Sequence, residues 1–315
     1  MRNPQYRCVS KSVFSTAFRG AFLSLALLPL MGNGVSVALA QESGTLDKIA
    51  RTKTISIGYR EDEVPFAYKS VEGQAIGYSV ELCEDIAEHV RQTLSLDKIN
   101  INYVVATPAT RFLLVKSGKI DLECSATTNN AERREQVSFS YPHFITATRF
   151  VAKKSSGVKN IKDLAGRTVA STTGTVNIEQ LQTINRTDNL NISVMLARQN
   201  SDGFAFVENN KATAFVMDGV LLAAQVAFSK SPDDYMVSSE TFGPPEPYGI
   251  LMRKGDEPFR TVVNDALRQL FVSGDINRIY DKWFMSPLPQ DGRNFNLPMS
   301  QELQAAFREP KEYLQ

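Results

Sequence analysis

Histidine and tryptophan are nearly absent from this 315-residue chain, which has two histidines, His89 and His143, and one tryptophan, Trp283. The histidines lie far apart and show no paired metal-ligand spacing, which argues against a metal site. Cysteine is scarce too: Cys8, Cys83 and Cys124, in no zinc-binding pattern. No apolar run reaches the roughly 20 residues that span a bilayer. No Ser-His-Asp order and no activated nucleophile appears, so catalysis has little to work with. No cofactor is expected.

The first forty residues are of a different kind. Arg2, Arg7, Lys11 and Arg19 precede any acidic residue, an apolar run covers 21–31, and Ala38-Leu39-Ala40 follows. A basic start, a short apolar core and an A-x-A site predict a secretory signal peptide over 1–40. Cys8 precedes the apolar run, so it is not placed as a lipoprotein cysteine. Without that segment the chain carries 31 basic and 34 acidic residues, a net charge of −3. So mild a balance argues against a nucleic-acid partner. The remaining 275 residues exceed the usual size of one hydrophobic core and suggest two domains. In an oxidising compartment Cys83 and Cys124 form either a disulfide or two buried thiols.

Strand and helix patterns alternate along the chain. After a short amphipathic helix over 41–53, strands are expected at 54–59, 75–78, 99–105 and 120–124. Helices are expected from 79 and from 108 to Gly118. A second block repeats the pattern, with strands at 168–171, 192–196 and 212–217 and helices from 176, 201 and 218. Such alternation implies parallel βαβ units. Extended segments at 144–153 and 247–253 lie between the blocks. Two helices follow, over 258–273 and 275–284, then a Pro-rich wrapping loop over 287–298 and a last helix near 301–307. Two α/β blocks joined by two extended crossings make a hinge, with a ligand expected between them at the strand C-termini.

Several segments carry a family likeness: Leu46-Asp47-Lys48-Ile49-Ala50, Gly58-Tyr59-Arg60-Glu61 with Val64-Pro65-Phe66, and Gly77-Tyr78-Ser79. The strongest runs from Asp121 through Asn130, followed by Glu132-Arg133. Ala214-Phe215-Val216-Met217-Asp218 and Asp281-Lys282-Trp283-Phe284 come later. In this order and spacing they resemble the glutamate/aspartate-binding proteins of ABC importers, over nearly all of 45–310. The resemblance implies an α/β, two-lobe type II periplasmic-binding fold. Its lobes would be 41–147 with 248–315, and 148–247. It also implies a periplasmic location, a free amino acid as ligand, an inner-membrane ABC permease as partner and a monomeric protein.

A free amino acid needs an anion partner and a cation partner. Arginine suits a carboxylate because its planar fork donates two parallel hydrogen bonds. The resemblance makes Arg133 the α-carboxylate clamp, Thr128 a hydroxyl contact and the Ala126 backbone carbonyl an acceptor for the ammonium. Thr173-Gly174-Thr175-Val176 precedes a helix whose free N–H groups suit an anion, which marks Thr175 and Val176. Thr175 also reads as an ordinary helix cap. Asp218 is either an N-cap or the ammonium partner that the resemblance implies. The resemblance assigns Arg60 and Arg111 to a second carboxylate on the ligand. Alternatively Arg60 forms a salt bridge to Glu61 or Glu63, and Arg111 is a solvated helix charge.

The sequence departs from the pattern at three points. Pro108 stands where a serine is expected, Asn200 where a histidine is expected, and Gly219 where a second acid is common. Asn200 can donate a hydrogen bond but carries no charge. Glutamine, asparagine or another dicarboxylate therefore remains an alternative to an acidic amino acid, as does a receptor in place of a permease. A dehydratase on the same fold would need a positioned acid such as Glu123 or Glu246. Tyr248 would line the cleft or brace the hinge, and Trp283 would pack in the core.

Overall fold

The computed structural model describes residues 44–289 and 292–312. The expected signal peptide lies outside the described residues. The chain opens with α1 (Thr45–Thr52), β1 (Thr54–Tyr59), β2 (Asp62–Glu63), β3 (Ala67–Lys69), β4 (Ala75–Ile76) and α2 (Tyr78–Thr93). Next come β5 (Asn100–Val105), α3 (Arg111–Lys116), β6 (Leu122–Glu123), α4 (Ala131–Arg134), β7 (Val137–Phe139), β8 (Phe144–Thr146) and β9 (Thr148–Lys153). The second block holds β10 (Thr168–Thr172), α5 (Val176–Thr187), β11 (Ser193–Ala197), α6 (Asn200–Glu208), β12 (Ala214–Asp218), α7 (Gly219–Phe228) and β13 (Tyr235–Val237). Then follow β14 (Glu246–Tyr248), β15 (Leu251–Arg253), α8 (Glu257–Ser273), α9 (Asp275–Tyr280) and α10 (Gln301–Arg308).

Two five-stranded sheets form the two lobes, in the orders β5-β1-β6-β15-β7 and β11-β10-β12-β9-β13. The expected parallel units are present as β5-β1-β6 and β11-β10-β12. One strand in each sheet, β15 or β9, runs antiparallel to both its neighbours. They differ from the βαβ pattern because β9 and β15 enter their sheets directly from the crossings, with no helix to reverse direction. The extended segment 144–153 divides accordingly. Its first part, β8, pairs with β14 (Phe144 with Tyr248, Thr146 with Glu246), and its second part joins the second sheet. These paired crossings are the hinge.

Aromatic rings fill the space beside the crossings. Phe144 lies 4.8 Å from Phe66 and 5.1 Å from Phe284 between ring centroids, and Phe66 lies 5.3 Å from Tyr248. His143 is wholly buried there, and burial lowers its pKa to about 3, which keeps the ring neutral. Trp283 is in the core as expected. The C-terminal tail wraps onto the second lobe, where Arg293 donates to the Ala227 carbonyl at 2.6 Å and lies over the Phe228 ring.

α2 shows the predicted stripe, with Val80, Leu82, Ile86 and Val90 all buried. Its start demands Gly77, where φ is +134° and a Cβ would sit 2.3 Å from the Phe66 carbonyl oxygen. The helix expected over 108–118 is shorter, at Arg111–Lys116. Thr110 instead accepts from the Thr107 amide at 3.0 Å, a local turn that competes with helix.

Cys83 of α2 and Cys124, just after β6, form a disulfide across a sequence separation of 41. Closing a loop of that length restricts the unfolded chain by about 4 kcal/mol in the entropic account. Replacing both cysteines by serine should lower the melting temperature by roughly 10 °C. Thermal melts with and without reductant check this, and an unchanged melting point would refute a structural role.

Candidate ligand-binding site

The C-terminal ends of the parallel strands face the boundary between the lobes. Arg60 follows β1, and residues 125–130 follow β6. Thr173 to Thr175 follow β10, and Asp218 ends β12. The 127–129 segment is fixed by the second crossing. Asn129 donates to the Pro247 carbonyl at 2.8 Å, and Gly249 donates to the Thr127 carbonyl at 3.1 Å.

Two arginines of the first lobe meet one carbonyl of the second. The Gly174 oxygen accepts from Arg111 Nη2 at 3.0 Å and from Arg133 Nη2 at 3.4 Å. Both guanidinium groups approach the Phe112 ring, at 5.2 and 5.5 Å from its centroid. Gly174 has φ +78°, and a Cβ there would lie 2.9 Å from the Pro108 carbonyl oxygen of the first lobe. Only glycine permits that approach without displacement.

Arg133 also donates to the Thr128 carbonyl at 2.9 Å, and its amide is capped by Asn130 at 2.9 Å. Burial lowers its pKa to about 10, with nearby Arg111 adding to the effect. Burial likewise lowers the pKa of Arg111, against the pull of Glu123. Arg111 Nε is buried and has no hydrogen-bond partner among the described residues. The expectation of a solvated Arg111 is thereby excluded, since the residue is only 2% exposed.

Arg60 behaves differently from the two-carboxylate assignment. Its Nη1 pairs with Glu63, and its Nη2 donates to Asp62 at 3.0 Å. Both terminal nitrogens thus meet carboxylates of the following loop. Glu61, the other candidate partner, pairs with Lys69 at 3.2 Å. The second oxygen of Glu63 accepts the Ala126 amide at 3.1 Å, so this ion pair also orients the Ala126 peptide.

In the second lobe Asp218 is buried and accepts from Asn177 Nδ2 at 2.8 Å and from the Tyr248 hydroxyl at 2.6 Å. Burial raises its pKa, and those two hydrogen bonds hold it down. Asp218 occupies the cap position of α7 without making a side-chain cap bond. Thr175 likewise precedes α5 without capping it, and its hydroxyl donates to the Thr172 carbonyl at 2.7 Å. Val176, the first residue of α5, is buried. Asn200 accepts from Thr172 Oγ1 at 3.0 Å, while its Nδ2 is buried without a partner among the described residues.

Three further residues belong to the same cluster: Asn177, which the sequence reading missed, and Tyr248 and Glu246, which it named in other roles. Asn177 also donates to Thr148 Oγ1 at 2.6 Å, and its Oδ1 has no partner among the described residues. Its signal was a polar residue in the first turn after Thr175. Tyr248 braces Asp218 from the hinge. Glu246 accepts from Thr128 Oγ1 at 3.3 Å and from Gln180 Nε2, and thereby touches both lobes. Among the described residues no group of three or more His, Cys, Asp or Glu is placed to hold a metal.

The family model for bacterial extracellular solute-binding proteins, family 3, matches residues 55–286. The chain belongs to that family. It is 38% identical over 307 residues to an L-glutamate/L-aspartate-binding protein of Pseudomonas aeruginosa, covering 96% of this chain and 97% of that one. It is 35% identical over 295 residues to a glutamate/aspartate import solute-binding protein of Escherichia coli, covering 93% and 96%. Among solved structures, an ancestral arginine-binding protein bound to arginine superposes with a TM-score of 0.67 at 26% identity. That match covers 74% of this chain and 98% of the other. The type II periplasmic-binding fold expected from the sequence is thus the observed one.

Burial, and the Asp218 charge nearby, push the Glu246 carboxyl up to about 7. Below about pH 4.5 both folded and unfolded chains hold its proton. Between there and pH 7 only the folded chain does, so stability falls as pH rises through that window. Glu246→Gln should therefore melt higher than the natural protein at pH 8, by about 2 kcal/mol once solvent screening is allowed for. The difference should vanish by about pH 4. Melts across that range test it, and a pH-independent difference would contradict the assignment.

Proposed function

We propose that this chain is the substrate-binding component of an ABC importer that captures an acidic amino acid, glutamate or aspartate. Capture proceeds by closure of the lobes, without chemistry. The supporting observation is the opposition of two buried guanidinium groups, Arg111 and Arg133, on one lobe to the buried, braced carboxylate of Asp218 on the other. An amino acid has complementary charges at its two ends. The names of the relatives from Pseudomonas aeruginosa and Escherichia coli support the same ligand class.

Arg133 and the first-turn amides at Thr175 and Val176 hold the α-carboxylate. Asp218 holds the α-ammonium, with Thr128 and the Ala126 carbonyl beside it. Arg111 takes the second carboxylate, assisted by Asn200 Nδ2. Arg60 acts on this site indirectly, through Glu63 and the Ala126 peptide. The protein works in the periplasm after removal of residues 1–40, as a monomer that presents its ligand to a membrane permease. No step in this scheme calls for a cofactor or for a catalytic residue.

Calorimetry on the protein lacking residues 1–40 should show saturable binding of L-glutamate and L-aspartate. Arg133→Ala should weaken every amino acid by at least about a hundredfold, the scale for removing one partner of a buried charged contact. Arg111→Ala should weaken glutamate and aspartate about tenfold more than glutamine and asparagine. If Arg111→Ala weakens all four equally, its role at the second carboxylate is wrong. If none of the four binds the natural protein, the proposed function is wrong.

A further inference from the structure

At the rim of the cleft, Asp62 of the first lobe reaches the start of α6 in the second. Asp62 Oδ2 accepts from the Ser201 amide at 3.2 Å and from Ser201 Oγ at 3.1 Å. α6 begins at Asn200, and the residue before it, Gln199, makes no side-chain cap bond. The free N–H groups of a helix start attract a carboxylate, and here the carboxylate comes from the opposite lobe. The other oxygen of Asp62 is held by Arg60 at 3.0 Å, and its side chain is only 15% exposed. Arg60 is itself anchored by Glu63. The resulting chain, Glu63–Arg60–Asp62–Ser201, crosses from a buried ion pair to the other lobe.

We propose that Asp62 is a closure latch: it caps α6 across the cleft when the lobes meet, and Arg60 is the residue that positions it. The proposal rests on the capture-by-closure function above. Several features set the latch apart from the ligand contacts. It uses no amino-acid chemistry, it lies at the α6 start beside Asn200, and it can form only when the lobes are together. Opening breaks both hydrogen bonds to Ser201 and returns Asp62 and the α6 start to water. The latch therefore slows release and leaves the choice of ligand to Arg111 and Asn200.

Stopped-flow binding of L-glutamate and L-aspartate to the natural protein and to Asp62→Ala, Asp62→Asn and Ser201→Ala tests this. Asp62→Ala should raise the dissociation rate about tenfold, the scale of losing a helix cap. The association rate and the glutamate-to-aspartate ratio should stay the same, and the melting point of the free protein should stay the same in Ser201→Ala, which leaves the Arg60–Asp62 pair intact. Asp62→Asn and Ser201→Ala should be intermediate, and Ser201→Ala should add little to Asp62→Ala. An unchanged dissociation rate in Asp62→Ala overturns the latch. A shift in the glutamate-to-aspartate ratio also overturns it, because Asp62 would then be acting on the ligand through Arg60. If the natural protein binds neither amino acid, the proposed function fails and hydrogen exchange of the free protein decides the latch. Faster exchange at the Ser201 amide in Asp62→Ala supports it, and equal exchange overturns it.

Discussion

Arg60, Arg111 and Arg133 place three positive charges at the lobe boundary, each less than a tenth exposed. Removing a charge from water is costly unless a partner replaces the lost solvation. The chain meets this cost unequally. Arg60 has two carboxylates, from Asp62 and Glu63. Among the described residues, Arg111 and Arg133 have only the carbonyls of Gly174 and Thr128 as direct hydrogen-bond partners. A carbonyl supplies a dipole and no compensating charge. Acidic groups such as Glu123 and Asp218 attract these two arginines only from beyond hydrogen-bond contact, which leaves guanidinium groups that an anion would satisfy, while Asp218 itself has neutral partners, Asn177 and Tyr248.

The hinge and the site are parts of one construction. β14 pairs with β8 to make the crossing, and its Glu246 and Tyr248 side chains reach Thr128 and Asp218. The backbone on either side of that strand also fixes residues 127–129. A rotation at the crossing therefore moves the groups that contact Thr128 and Asp218. Packed rings on Phe66, Phe144 and Phe284 restrict that motion to rigid-body rotation, because a close-packed cluster deforms little.

Most of the architecture is legible from the order of elements, and α2 buries the stripe its spacing selects, whereas β1 and β12 are buried on both faces and β5 is largely exposed. The antiparallel strands are not legible, because β9 and β15 owe their direction to the route of the crossings and leave no local pattern. At the site, residue types were legible and partnerships were not. Asp218 and Thr175 both sit at helix starts, where a cap is the expected use. In the fold neither side chain caps its helix, because Asn177, Tyr248 and the Thr172 carbonyl come closer. Asn177 escaped notice, and Glu246 was read only as a spare acid, because their importance comes from neighbours 41 and 118 positions away. The disulfide, left open against two buried thiols, needed the packing of α2 on the first sheet to decide it.

The contrast between Arg60 and Arg111 sharpens what specificity depends on. Both are buried arginines at the mouth of the first lobe, and the resemblance gave them one role. Arg60 carries acids two and three residues ahead, and these take its terminal nitrogens. Residues 112–116 after Arg111 include no acid, and its Nε is without a partner among the described residues. Pro108, which stands where a hydroxyl was expected, offers its backbone to Gly174 instead of a side chain to a ligand. In the proposed site, discrimination in favour of a second carboxylate would fall on Arg111 and on Asn200 Nδ2, one from each lobe. Such a pair can act together only when the lobes meet, so under that proposal selectivity and closure would be one physical event.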